Sequence, residues 1–327
     1  MNRNFKYDLI RTIAIIFVVF VHALGLVNKA VVQNMPFGKL IQSIYDIVNG
    51  GVPLFIMISG ALLLGKVEPV GDFFRKRMNK ILLPFLLWSF VCCTIHYVQD
   101  GGRSVIECLT SFVAKLMTGD IHTIYWYVYM IIGLYLITPF LRVVVQSNRN
   151  LILYLTALLL LVTISKELFP KLVILSRMTN ANSGALFYFV FGFVAVEYLQ
   201  PREHFARVSR IAFLLLFISN IVIRIVFDYK SELIHIALFI SLYCALISLK
   251  LKNQCDTVLC RVVSEISKMS YGIYLSHFML ISVVVKMGWI KQIPLAIEPI
   301  VVVFFVLLLD TCLLQVFKKI GLQKYTM

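Results

Sequence analysis

Long apolar stretches recur along the whole of this chain, and they constrain its fold more than any other feature of the sequence. A helix needs roughly 20 mainly apolar residues to cross the hydrocarbon core of a bilayer. Ten stretches come close to that length: Tyr7–Val27, Ile44–Leu64, Ile81–Val98, Ile124–Val145, Leu151–Leu168, Gly184–Leu199, Ile211–Phe227, Glu232–Leu251, Ser270–Gly288 and Leu295–Phe317. We therefore predict an all-α fold, a polytopic membrane helical bundle with about ten transmembrane helices. A weaker amphipathic stretch, Ser104–Met117, is expected to lie on the membrane surface.

The composition agrees with this prediction. Hydrophobic residues make up 60% of the 327 residues and charged residues 14%, whereas a soluble domain is about half apolar and about a quarter charged. No repeat, low-complexity tract or long linker divides the chain, so residues 1–327 are expected to form a single membrane-embedded domain. The sequence contains neither a glycine-rich nucleotide motif nor a zinc-ligand spacing, and we predict no metal site and no permanently bound cofactor.

Lysine and arginine outnumber aspartate and glutamate by 31 to 16, which in a soluble protein would indicate a nucleic-acid partner. Here the excess follows the predicted spans. With the N-terminus in the cytoplasm, 19 basic residues fall in inner segments and 9 in outer loops. Because short cytoplasmic loops of membrane proteins are enriched in lysine and arginine, we expect both termini in the cytoplasm and no nucleic-acid partner.

The first predicted span, DLIRTIAIIFVVFVHALG at residues 8–25, carries ionisable residues inside an apolar pattern. From Arg11 to His22 the helix makes about three full turns over ~16 Å, so both side chains lie on one face. Asp8 shares that face and can pair with Arg11. Snorkelling of Arg11 and a structural hydrogen bond from His22 would explain the pattern. Ionisable groups at membrane depth nevertheless tend to line functional cavities.

An arginine and a histidine separated by ten residues in the first span also resemble the signature of the acyltransferase 3 family. Four further stretches resemble motifs of that family and occur in its order: NGGVPLFIMISGALLLGK at 49–66, FFRKRMNKILLPFLLW at 73–88, YWYVYMIIGLYLITPFLR at 125–142 and SKMSYGIYLSHF at 267–278. The resemblance implies an integral membrane enzyme that moves acyl groups onto glycans and other surface polymers. Two positions depart from the family pattern. Lys80 replaces the second arginine of an Arg-x-x-Arg pair, and Ile124 stands where many members have histidine, so His122 is a separate candidate.

The second and third spans each carry a candidate feature. Asn49-Gly50-Gly51 breaks the second span, either as a simple helix cap or as irregular backbone beside a cavity. The basic residues Arg75, Arg77 and Lys80 lie in a predicted inner loop. They either anchor that loop or bind the phosphates of coenzyme A.

Polar residues deeper in the spans are candidates to line a pore or to stabilise the oxyanion of a transition state. Tyr271, Tyr274 and His277 are spaced by three along a predicted helix and share a broad face. Ser59 lies in the second span. Polar packing between helices would also explain these four residues.

The remaining polar residues lie near the last four spans. Arg224 and His235 flank the outer turn between the seventh and eighth spans and are candidates for the acceptor side, although an arginine at that interface would also snorkel. Asp310 falls within the tenth span, where pairing with a lysine or a tyrosine would explain it.

Three classes of function compete: an acyltransferase, an exporter or transporter of a glycan or small solute, and a structural membrane partner. The two halves of the chain show no internal symmetry of the kind common in transporters, and a scaffold has no need of Arg11, His22 and His277 at depth. With the family resemblance, the residues predict a membrane O-acyltransferase, specifically an O-acetyltransferase, in a bacterial cytoplasmic membrane. Its donor would be cytoplasmic acetyl-CoA or another acyl-CoA, and its acceptor a hydroxyl of a cell-surface polysaccharide or a lipid-linked precursor.

In this prediction His22 and Arg11 are the catalytic residues. His22 acts as the general base, since imidazole exchanges protons near neutral pH, and Arg11 binds the phosphates or the pantetheine of the donor. The sequence does not distinguish direct transfer from a mechanism with a covalent acyl-enzyme intermediate. The alternative function is an exporter without acyl-transfer activity.

Overall fold

Helices account for the regular structure of this chain. A computed structural model describes residues 4–26, 38–102, 104–168, 183–202, 204–251, 257–288, 292–294, 297–322 and 326. Within these ranges every regular element is a helix and there is no strand. The prediction of an all-α fold is therefore confirmed for the described part of the chain.

The helices are α1 (Phe5–Leu26), α2 (Gly38–Val48), α3 (Gly51–Leu63), α4 (Val70–Arg77), α5 (Leu83–Gln99), α6 (Val105–Thr118), α7 (Trp126–Ser147), α8 (Arg149–Leu168), α9 (Ser183–Val194), α10 (Phe205–Phe227), α11 (Glu232–Ile247), α12 (Val258–Lys286) and α13 (Glu298–Lys319). A π-helical turn, Met78–Leu82, joins α4 to α5 without a break. A 3₁₀ turn, Thr123–Tyr125, precedes α7, and a second π-helical turn, Ala195–Leu199, follows α9.

Seven helical segments in the described residues are long and apolar enough to cross a membrane. They are Phe5–Gly25, Gly38–Leu63, Val70–Gln99, Thr123–Ser147, Phe205–Phe227, Val258–Lys286 and Glu298–Lys319. Three shorter apolar helices, Arg149–Ser165, Gly184–Leu199 and Glu232–Ile247, coincide with the other predicted spans. A multi-pass membrane protein is thus confirmed, while the count of ten spans and the cytoplasmic position of both termini stay predictions.

The two largest differences between the predicted boundaries and the structure are at α12 and at α4. The helix α12 begins at Val258 rather than at Ser270, and its added segment buries Val263 and Ser267 at helical spacing among charged residues. The basic segment 73–80 is helical rather than a loop. Arginine and lysine are good helix formers, and the burial of Phe73 holds α4 against its neighbours.

Several residues that entered the charge count lie outside the described residues: Arg3, Lys29, Arg103, Lys171, Arg177, Lys252, Lys291 and Lys324. Arg142, which falls in the fourth predicted span, lies inside α7. It is 6% exposed, and its Nε donates to the carbonyl of Leu63 at 2.9 Å. A cation at the last carbonyls of α3 stabilises the end of that helix.

By internal contacts the chain divides into two compact units. The first comprises Met1–Val67 and Leu136–Ser267, and the second comprises Glu68–Tyr135 and Lys268–Met327. In the first unit α3 packs against α9 and α1, while α10 packs against α11 and α2.

The contact between α3 and α9 depends on two glycines. A Cβ atom at Gly60 would overlap the backbone of Phe189, and one at Gly192 would overlap the backbone of Met57. Small residues let the backbones of membrane helices approach each other closely. The Ser-Gly of the second-span motif therefore has a packing role at its glycine.

In the second unit α5 packs against α6. The helices α12 and α13 run antiparallel, because Gly272 lies beside Leu314 while Ser276, one turn later, bonds to Asp310, one turn earlier. This pairing buries polar side chains at the centre of two apolar helices.

Candidate functional site

The helix α1 is unbroken from Phe5 to Leu26, so the geometry expected for its polar face holds. Arg11 and His22 are both half-buried, and helical geometry places them on one face about 16 Å apart. The Arg11 guanidinium lies 3.9 Å from the Asp8 carboxylate, which confirms the expected pairing. His22 also makes an interaction with its surroundings in this structure.

Asp8 is held by a neighbouring helix as well as by Arg11. It is 1% exposed, and its carboxylate accepts hydrogen bonds from Ser267 at 2.8 Å and from Ser264 at 3.5 Å. Thr12 donates to the carbonyl of Val263 at 2.9 Å. These contacts fix α1 against the start of α12, so the orientation of the Arg11 face is set by hydrogen bonds on its flank.

The break in the second span lies between α2 and α3, at Asn49 and Gly50. A Cβ at Gly50 would lie 2.7 Å from the ring of Phe239, and a Cβ at Gly51 would lie 2.8 Å from the carbonyl oxygen of Ala14. Two neighbouring helices thus lie in close contact with the break. The glycines serve close approach, and the motif is more than a helix cap.

Before this break in the chain, α2 contributes to a cluster of polar side chains between α2, α10 and α11, in which Asp46, Asn220 and His235 are buried and Arg224 is half-buried. We call these four residues the Asp46 cluster. Arg224 Nε lies 3.4 Å and His235 Nε2 3.8 Å from Asp46 Oδ2. His235 Nε2 donates to Asn220 Oδ1 at 3.1 Å, because an amide oxygen only accepts. The structure thus brings together the two acceptor-side candidates, Arg224 and His235.

The position of α2 relates this cluster to α1. Gly51, five residues after Asp46, rests against Ala14, and α2 packs on α1. Asp46 is five residues from this contact across the break, and His22 lies ~12 Å from it along α1. Both residues are therefore within two to three helical turns of the same point.

The direction of α11 gives a second relation. At its end the carbonyl of Ile247 accepts a hydrogen bond from Lys6, near the start of α1, at 3.3 Å. His235 is twelve residues earlier, so it lies ~18 Å from that contact. Because His235 also reaches Asp46, α11 runs antiparallel to α1, and the Asp46 cluster lies towards the His22 end of the first unit.

In the second unit the predicted polar face of α12 is present, but its hydroxyls are engaged. Tyr271 donates to the carbonyl of Ile81 at 2.9 Å, and Tyr274 donates to the carbonyl of Ile124. In the first unit Ser59 donates to the carbonyl of Phe55 at 2.8 Å. In this structure the three oxyanion candidates therefore already use their hydroxyl hydrogens on the backbone.

His277 is fully buried on α12. Its Nδ1 donates to the carbonyl of Tyr274 at 2.7 Å, so this ring nitrogen carries a hydrogen. The adjacent Ser276 donates to Asp310, so the partner of Asp310 is a serine rather than the expected lysine or tyrosine.

The basic residues proposed for coenzyme A lie along α4 and the π-helical turn that follows it. Arg75 and Lys80 are exposed. Arg77 is half-buried, lies 3.4 Å from Glu68 and stacks 4.7 Å from the ring centroid of Phe73. Arg75 and Lys80 thus offer exposed cations, whereas Arg77 also stabilises its own helix.

The candidate residues divide between the two units as follows: Arg11, His22, Ser59, Arg224 and His235 belong to the first, and Arg75, Arg77, Lys80, Tyr271, Tyr274 and His277 belong to the second. Sequence reasoning missed Asp46 and Asn220, although both fall inside predicted spans. An ionisable residue at membrane depth is itself a signal of a polar site, and that signal would have identified Asp46. The catalytic and binding roles of all these residues stay predictions.

Comparison with known proteins tests the family resemblance of this chain. A family model described as an acyltransferase domain matches residues 4–314, which is nearly the whole chain. Comparisons with curated proteins and with solved structures gave no significant match. The matched residues include the paired Arg11 and His22 and all four further motifs, and the chain therefore belongs to the acyltransferase 3 family.

Proposed function

We propose that this membrane acyltransferase transfers an acetyl or similar acyl group from acyl-CoA to a hydroxyl of a cell-surface glycan or of its lipid-linked precursor. The observation that supports this proposal most directly is the polar face of α1. It presents Arg11 and His22 on one side of an unbroken helix, in a chain of the acyltransferase 3 family. The location we propose is a bacterial cytoplasmic membrane with both termini inside.

In the proposed reaction His22 removes the proton from the acceptor hydroxyl as the oxygen bonds to the thioester carbon. The carbon–sulfur bond then breaks, and the leaving coenzyme A thiolate accepts that proton from His22. A well-placed general base contributes roughly 10²- to 10⁴-fold to such a step. The reaction is balanced without a metal ion or a redox partner.

Arg11 is proposed to bind the donor rather than the reacting carbonyl, because it lies ~16 Å from His22 along α1. A guanidinium forms strong charge-assisted hydrogen bonds with phosphate. The exposed Arg75 and Lys80 are proposed to bind donor phosphates as well, with Arg77 in support.

Direct transfer fits the hydroxyl contacts better than a covalent acyl-enzyme on Ser59 or Tyr274 does, and an acyl-enzyme on His22 is the other covalent alternative. Each of Ser59 and Tyr274 would have to release a hydrogen bond to a backbone carbonyl before it could act as a nucleophile. Direct transfer asks for no such rearrangement. It needs only the acceptor hydroxyl and a base.

The test is acyl transfer by purified protein in lipid vesicles, with radiolabelled acetyl-CoA and a panel of glycan acceptors. His22→Ala should lower the transfer rate at least about 100-fold, as expected for loss of a general base, while binding of acetyl-CoA and the unfolding temperature stay near wild type. His204→Ala is the matched control, since His204 is exposed before α10. Transfer at the wild-type rate by stable His22→Ala protein would exclude the base, and glycan export without any acyl transfer by the wild type would favour the exporter.

A further inference from the structure

The Asp46 cluster combines deep burial with unmatched hydrogen-bonding groups. Asp46 is 2% exposed and Asn220 is 6% exposed. Among the described residues Asp46 Oδ2, Asn220 Nδ2 and Arg224 Nε have no hydrogen-bond partner, although the ion pair between Asp46 and Arg224 is in place. Native proteins leave few buried polar atoms without a hydrogen bond, and each exception calls for an explanation.

The unmatched atoms have a definite chemical character. One is a carboxylate oxygen, which accepts, and two are N–H groups, which donate. A hydroxyl group satisfies both kinds, because its hydrogen donates to the carboxylate while its oxygen accepts from the amide or the guanidinium. We infer that Asp46, Asn220 and Arg224 form a hydroxyl-binding subsite that selects a neutral sugar.

His235 is a positioning residue in this subsite. It donates from Nε2 to Asn220 Oδ1, which leaves the Nδ2 hydrogens of the amide for a ligand. The ring of His235 stacks on Phe239 with centroids 6.1 Å apart. This contact helps to hold the imidazole in the place from which it donates to Asn220.

Charge decides between neutral and anionic sugars. The negative charge of Asp46 is balanced by Arg224, so the pair has no net charge to offer an anion. A uronate or a phosphate would bring a second negative charge next to a buried carboxylate. Lys39 is the next cation on α2, but it is exposed about two turns away and donates to the carbonyl of Ile225 at 3.0 Å.

As an acceptor site this subsite rests on the proposed acyl transfer, but sugar binding can be measured without any reaction. The binding probes are the methyl glycosides of glucose, galactose and N-acetylglucosamine, each compared with methyl glucuronide and methyl galacturonide. Saturation-transfer NMR on the full chain in detergent should show binding of at least one neutral glycoside and weaker binding of its uronide. Binding of none of these sugars, or tighter binding of a uronide, would overturn the inference.

Variants of the subsite test whether its residues bind the sugar. Asp46→Asn and Asn220→Leu should each weaken binding of the neutral glycoside at least about tenfold. The matched control is Asp228→Asn, because Asp228 is exposed at the end of α10 and its left-handed φ of 49° is tolerated by asparagine. Because Asp46→Asn leaves Arg224 without its ion pair, Asn220→Leu serves as the second variant should Asp46→Asn fail to fold. Unchanged binding in folded Asn220→Leu protein would overturn the inference.

Transfer kinetics separate the two proposals. If the inference holds and the protein is an acyltransferase, Asn220→Leu raises the acceptor KM and leaves the KM for acetyl-CoA unchanged. If the wild type binds neutral glycosides but transfers no acyl group, the proposed function fails and the subsite stands. If the wild type transfers acyl groups and Asn220→Leu keeps the wild-type acceptor KM, the subsite fails and the proposed function stands.

Discussion

At the scale of single residues, protonation of His122 is opposed by its surroundings. Its Nδ1 accepts a hydrogen bond from the backbone N–H of Ile124 at 3.3 Å, and its ring stacks on His96. Burial lowers the pKa of His122 below its usual value, and the charge of His96 lowers it further. The unfolded chain therefore binds a proton that the folded chain does not. Folding stability is full above about pH 6.5, the ordinary histidine value, and falls as the pH drops towards the folded pKa.

We accordingly expect the unfolding temperature of wild-type protein in detergent to fall between pH 7.5 and pH 5.5, and His122→Gln to lose less over the same range. The difference arises because glutamine has no proton to gain. The exposed His204→Gln is the control and should follow the wild type. Parallel pH curves for wild type and His122→Gln would show that another group causes the loss.

Residue pairs within one helix could be predicted from the sequence, whereas clusters between helices could not. Asp8 and Arg11 are three positions apart, so helical geometry alone places them on one face. Asp46 meets Arg224 and His235 only because α2, α10 and α11 pack together, and no local pattern records that packing. The carboxylate inside an apolar stretch was a visible signal, but its partners were not.

At the scale of helices, the crossing of α3 and α9 gives a stability prediction. Gly60→Ala should destabilise the protein by about 1–3 kcal/mol, since the added methyl group meets the backbone of Phe189, which moves less easily than a side chain. Thermal unfolding in detergent measures the loss. Gly133→Ala is the matched control, because Gly133 lies inside α7 and the added group has no atom within 4 Å beyond the adjoining backbone of its own helix. A Gly60→Ala protein as stable as Gly133→Ala would contradict the close crossing.

The helix α4 carries the prediction for the donor. Replacing Arg75 and Lys80 together by glutamine should weaken acetyl-CoA binding about tenfold and make the remaining affinity less sensitive to salt, since exposed cations act on phosphates through screened attraction. Arg77 is kept, because its contact with Glu68 supports the helix. Isothermal titration at two salt concentrations measures both effects.

The control for that experiment replaces two exposed arginines at the start of α10, Arg207 and Arg210, by glutamine. This change removes the same charge from another helix and should leave the affinity for acetyl-CoA unchanged. Insertion of both variants is checked by protease accessibility, because these cations also influence topology. Equal affinities in both double variants would return Arg75 and Lys80 to an anchoring role.

Hydropathy located the apolar helices, although α2 and α10 each begin six residues before the predicted start, and glycine predicted the break in the second span. Hydropathy failed to predict the boundaries of helices that are amphipathic. The first turns of α12 and the basic helix α4 contain charged residues that lower the local hydropathy, although α12 buries Val263 and Ser267 four residues apart and α4 buries Phe73. High hydropathy marks helices that are surrounded by lipid, and it does not mark helices that bury only one face against other helices.

At the scale of the whole molecule, family membership followed from five motifs in order, and each motif is local in sequence. The division into two units did not follow from the sequence. Each unit combines distant parts of the chain, and the boundary at Ser267 falls inside the continuous helix α12. Such a division depends on which helices pack together, and apolar periodicity carries no information about partners.

The last prediction concerns the sides of the membrane from which the two substrates enter. In the proposed topology Arg11 is near the cytoplasmic end of α1, and His22 lies ~22 Å along the helix from Tyr7, in the outer half of a core ~30 Å thick. We therefore expect acyl-CoA to enter from the cytoplasmic side and the acceptor from the outer side, so that the acyl group crosses the membrane during transfer. In sealed right-side-out vesicles, acetyl-CoA enclosed inside and acceptor supplied outside should give acylated product, and inverted vesicles loaded in the same way should give none. Product that forms only when both substrates are on the cytoplasmic side would exclude transfer across the membrane while leaving His22 as the base.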